Sequence, residues 1–96
     1  MSPITAEWIF EWDEKKAALN VRKHGIPFRS ATRVFLDQNR LEWAGTRRPY
    51  GEPRWIAIGL VEGLEIAVAY TLRGDTIRLI SARKAERYER EDYWNR

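Results

Sequence analysis

Cysteine is absent from the sequence, and histidine occurs once, as His24. Disulfide frameworks, cysteine-based zinc sites, thiol catalysis and iron–sulfur clusters are therefore excluded, and one imidazole among scattered acids offers no set of metal ligands. Long hydrophobic runs are also missing. The longest, Trp55 to Val61, falls far short of the ~20 residues a membrane helix needs, and no basic segment followed by an apolar one marks a leader at the N-terminus. A cytoplasmic protein in a reducing compartment, with no membrane partner, is the expectation. The glycines form neither G-x-G-x-x-G nor a P-loop, and G-x-S-x-G is absent, so no cofactor is expected.

What is present is enough for one core. The 96 residues are 44% apolar and include five Trp. That suits a single domain over residues 1–96. Charge is uneven: residues 1–48 carry nine cations against six acids, whereas residues 49–96 carry eight of each. Between Lys15 and Leu36 there are six cations and no acid, and thirteen of the seventeen cations are Arg. This pattern favours a phosphate-bearing or acidic partner.

The periodicity predicts an α+β chain. Ala6 to Trp12 alternate as a short strand. Asp13 can cap a helix over Glu14 to His24 that Gly25 closes, with Ala17, Val21 and His24 on its apolar face. Pro27 opens a second helix, with Phe28, Ala31, Thr32 and Phe35 facing inward, that ends near Asp37. Strands follow at Leu41–Ala44, Arg54–Val61, Leu64–Leu72 and Thr76–Arg83. The last three are joined by Glu62-Gly63 and by Arg73-Gly74-Asp75, which predicts antiparallel pairing. A charged helix over Lys84–Trp94 closes the chain, turning Ala85, Tyr88 and one of Tyr93 or Trp94 toward the sheet. The expected architecture is a mainly antiparallel sheet packed with two N-terminal helices and a C-terminal helix.

The residues left to carry chemistry are cations and hydroxyls: His24 and Lys23 at a helix end, Arg54 beside Glu52, Tyr70 and Arg73 at a strand end, and Arg78 and Arg83 in the last strand. Such a set suits RNA cleavage by the neighbouring 2′-hydroxyl, which needs a base, an acid and fixed cations around the phosphorane but no metal. In a regular strand Arg78 and Arg83 lie on opposite faces, and only a twist or bulge near Ser81 brings them together. His24 serves equally as a helix-end group resting on the core.

The runs Phe10-Glu11-Trp12-Asp13 with Lys16, Lys23-His24-Gly25, Tyr50-Gly51-Glu52 with Arg54, Tyr70-Thr71 with Arg73-Gly74, and Ile80-Ser81-Ala82-Arg83-Lys84-Ala85 with Glu89-Arg90 and Tyr93 resemble the BrnT family of type II toxins. The resemblance implies a RelE-like fold and a metal-independent endoribonuclease that inhibits translation. It also implies a BrnA-like antitoxin partner, with operator DNA contacted only through that antitoxin. Pro27 departs from the family's Ser or Thr cap, and Arg29-Ser30 replaces an acidic pair. On this reading His24, Lys23, Tyr70, Arg73, Arg78 and Arg83 are the catalytic candidates. Lys16, Arg22, Glu52 and Arg54 are the RNA-binding candidates, and which group is base and which acid stays open. The rival reading is a non-catalytic nucleic-acid or protein-binding module acting in promoter autoregulation. Arg83, taken as an exposed strand arginine at the active-site border, is expected to matter far more to activity than to stability.

Overall fold

The computed structural model describes residues 8–45 and 53–96. Their elements run β1 (Ile9–Glu11), α1 (Glu14–His24), α2 (Phe28–Ala31), a 3₁₀ helix (Thr32–Leu36), β2 (Leu41–Ala44), β3 (Trp55–Val61), β4 (Leu64–Arg73), β5 (Thr76–Lys84) and α3 (Arg87–Trp94). The sheet order is β1-β5-β4-β3-β2, with β1 parallel to β5 and every other pair antiparallel. The α+β expectation and the two hairpins are observed. Of the predicted first strand, Ile9–Glu11 is strand, while Ala6 and Glu7 lie outside the described residues.

Local chemistry sets the helix ends. The Asp13 carboxylate accepts the Lys15 N–H at 2.8 Å, and Gly25, at φ 73°, donates to the Val21 carbonyl. The second helix is shorter than its periodicity implies. After Ala31 it tightens into the 3₁₀ turn, which stops where Asp37 accepts the N–H groups of Asn39 and Leu60 and the Tyr93 hydroxyl. That turn presses on β3 at Gly59. A Cβ there would stand 2.9 Å from the Val34 carbonyl oxygen, so only glycine permits the approach. The last helix starts three residues later than expected, because Lys84 still belongs to β5 and the Ala85 N–H bonds the Glu65 carbonyl. Glu86 then caps it reciprocally with Glu89.

Helices cover both faces of the sheet. On one face, α1, α2 and the 3₁₀ turn bring Ala17, Phe28, Ala31, Val34 and Phe35 onto Ala57, Ile66, Val68, Tyr70, Leu79 and Ala82. On the other, Ala85 and Tyr93 pack on Ile58 and Ala67. Tyr88 and Trp94, both candidates for that contact, are exposed.

Leu79 and Ala82 are three residues apart yet both point into the first core. The strand achieves this with a bulge: Ala69 pairs with Ser81 and Tyr70 with Leu79, leaving Ile80 as an extra residue. Beyond Arg78, β1 no longer pairs with the outer edge of β5. Asn20 of α1 takes over there. Its side-chain amide donates to the Ala82 and Ile26 carbonyls at 2.9 Å each and accepts the Ala82 N–H at 3.1 Å. It acts as a one-residue strand. This overturns the expected inner face of α1, since Asn20 is buried and Val21 is 43% exposed. Asn20→Ala would leave buried groups of Ala82 unpaired, and a loss of about 2–4 kcal/mol in urea unfolding is expected. Faster exchange of the Ala82 amide should accompany it, and a change below about 0.5 kcal/mol would contradict this role.

Candidate active site

The bulge decides which side chains share the face that α3 leaves partly open. By register Thr71 lies opposite Arg78, Ala69 opposite Ser81 and Ala67 opposite Arg83, while Glu11 of β1 lies beside Arg78. Arg73, Arg78, Ser81 and Arg83 therefore stand on one face, which a regular strand would not allow.

Two ion-pair clusters divide this face. Near the β4–β5 turn, the Glu11 carboxylate is 3.1 Å from the Arg78 guanidinium and 3.7 Å from that of Arg73. These side chains stay open to solvent, at 41%, 29% and 49% exposure for Glu11, Arg78 and Arg73. Farther along β5, Arg83 donates to both Glu89 oxygens at 2.8 and 3.0 Å. Glu89 is only 1% exposed. Burial raises the Glu89 carboxyl pKa, but the Arg83 fork and the Glu86 N–H outweigh it, and the net shift is downward. Tyr88 adds a longer contact from its hydroxyl.

A second surface begins at Ser81. A groove between α1 and the free edge of β5 is lined by Lys16, Leu19, Asn20, Arg22, Lys23, His24, Ile80 and Ser81. It adjoins the arginine face at Ser81, which belongs to both. At 1.5 Å per residue, His24 stands about 12 Å along the helix from Lys16.

The candidates from sequence thus fall into separate places. Arg73 and Arg78 come together, with Glu11 between them. Lys16, Arg22, Lys23 and His24 line the groove. Arg54 is half-buried just before β3, and Glu52 lies outside the described residues. Tyr70 stands apart from all of them. It is 4% exposed on the opposite face, its ring centroid 5.0 Å from that of Phe35, and burial pushes its phenol up to about 12. Glu11 was not among the candidates, because nothing in a three-residue strand shows which two arginines its register will meet. Among the described residues no group of three His, Cys, Asp or Glu side chains gathers as a metal site.

The family model described as "Ribonuclease toxin, BrnT, of type II toxin-antitoxin system" matches residues 12–89. The chain belongs to this family. The match reaches from the start of α1 to Glu89, taking in the groove and the Arg73, Arg78 and Arg83 positions. No curated protein matches the chain. No helix among the described residues is long and apolar enough to cross a membrane.

Arg83 needs a different account from the one its sequence position invites. Its guanidinium is 32% exposed and neutralises a buried carboxylate, so Arg83→Ala should destabilise the fold by about 2–4 kcal/mol, below the fully buried limit. Adding Glu89→Gln should recover part of the loss. The contribution of Glu89 is fully present above the ordinary glutamate value of 4.5 and is lost as pH falls through its depressed value. Unfolding midpoints at pH 7 and pH 3 check this, and an Arg83→Ala protein as stable as wild type at pH 7 would contradict it.

Proposed function

We propose that this BrnT-family chain is a metal-independent endoribonuclease whose cleavage of RNA inhibits translation, and that a BrnA-like antitoxin neutralises it. Operator DNA is contacted only through that antitoxin. The observation that carries the assignment is the open cluster of Arg73 and Arg78 about one carboxylate. Two guanidiniums that already converge on one carboxylate oxygen can likewise converge on a phosphodiester and stabilise the added charge of a phosphorane.

The division of the surface gives the rest of the reading. A phosphodiester at Arg73 and Arg78 is the one cleaved, and the adjoining strand passes Ser81 into the α1 groove. There Lys16, Arg22, Lys23 and His24 hold the flanking phosphates, a sequence-independent contribution to affinity. His24, about two helical turns beyond Lys16, is assigned to binding of the flank. Tyr70, buried on the opposite face, receives no part in proton transfer. Arg83 shapes the face through Glu89.

Purified protein is expected to cleave single-stranded RNA in excess chelator, with affinity for RNA falling steeply as salt rises. Arg78→Ala should slow cleavage by ~100-fold or more, whereas Lys23→Ala should mainly weaken binding. Activity that disappears with chelator and returns with magnesium would overturn metal independence. Tight RNA binding without cleavage would favour a non-catalytic binding module.

A further inference from the structure

We propose that Glu11 is the general base of the reaction, taking the proton from the attacking 2′-hydroxyl while Arg73 and Arg78 hold the phosphate. The inference rests on the RNA-cleaving reading above and names a residue that reading does not use.

Three observations carry it. The Glu11 carboxylate is the acidic group the structure places against both open arginines, at 3.1 Å from Arg78 and 3.7 Å from Arg73. It is 41% exposed, within reach of a polymer lying on the face, in contrast to the 1% exposure of Glu89. Its backbone is fixed, because β1 pairs in parallel register with β5 and places Glu11 beside Arg78. A base held on a paired strand, hydrogen-bonded by Arg78 and ion-paired with Arg73, loses little freedom when substrate arrives.

The charges also match the reaction. With Glu11 ionised, its carboxylate offsets part of the positive charge that Arg73 and Arg78 turn toward a singly negative phosphodiester. In the reacting complex the 2′-hydroxyl proton passes to a Glu11 oxygen, and the 2′-oxygen bonds to phosphorus. Glu11 is then neutral and no longer offsets the two guanidiniums, which face a doubly negative phosphorane. The bond from phosphorus to the 5′-oxygen breaks, and a water molecule protonates that oxygen. Glu11 gives its proton to the resulting hydroxide. The products are a 2′,3′-cyclic phosphate and a 5′-hydroxyl, with atoms and charge balanced.

Among the described residues the charged groups that face Glu11 are Arg73 from β4 and Arg78 from β5. The test compares Glu11→Gln, Glu11→Asp and wild type in single-turnover cleavage across pH, alongside binding of a non-cleavable 2′-O-methyl RNA. Glu11→Gln keeps an acceptor for the arginines but cannot take the proton. It should cleave ~100-fold or more slowly and lose the acid limb of the pH–rate curve, while binding the 2′-O-methyl RNA as tightly as wild type or tighter. Glu11→Asp should keep the acid limb at a reduced rate. A Glu11→Gln rate within about threefold of wild type with the acid limb intact, or a rate loss matched by lost affinity, would overturn the proposal alone. A wild-type protein that cleaves no RNA would overturn the function it rests on, and this proposal with it.

Discussion

Leu79 and Ala82 both pack in the core beneath α1 and α2, although three residues separate them. A regular strand turns such positions to opposite faces, so burying both requires one extra residue, which is Ile80. Much of the functional surface follows from that insertion. It brings Ser81 and Arg83 onto the side of the sheet that carries Arg78 and Arg73. It also falls where β1 has ended, so the edge of β5 needs a substitute partner. Asn20 supplies one, and in doing so seats α1 along that edge with its basic side chains beside Ser81. Core packing and the gathering of cations on one face are thus two consequences of one irregularity.

The arginines on this face have different roles because their acids are buried to different degrees. Glu89 is enclosed and capped by the Glu86 N–H as well as by Arg83, so its pair chiefly fixes α3 against β5. Glu11 is open, and its two arginines can exchange a carboxylate for a phosphate without exposing a buried charge. On a fold of this size the Glu11 and Glu89 carboxylates offset the repulsion among the arginines gathered on one face.

Sequence patterns show most of the elements because their signals are local. Asp13 and Gly25 bound α1, and Glu62-Gly63, with φ of 53° and 81°, forms the first hairpin turn. Phe28, Ala31 and Phe35 face the core as their spacing implies. The features that escape are those set by distant partners. Asn20 reads as an ordinary polar helix residue until the edge of β5 lies beside it. Val21 reads as core for the same reason. Arg83 reads as a free strand cation because its carboxylate is six residues on, across a strand-to-helix corner. Glu11 becomes conspicuous only once β1 is known to run parallel to β5. The need for a bulge near Ser81 is visible in the strand's alternation, but its position is fixed by which residues the core accepts.

The central claim is that RNA meets this protein on the β5 face that carries Arg73, Arg78 and Ser81. Amide and guanidinium resonances followed by NMR during titration with a 2′-O-methyl RNA test it most directly. The account predicts the largest shifts at the side chains of Arg73 and Arg78, at the Ser81 amide and along α1 from Lys16 to His24, with little change at Tyr88 or Trp94. Shifts confined to α3, or to the exposed side of α2, with Arg73 and Arg78 unmoved, would contradict it.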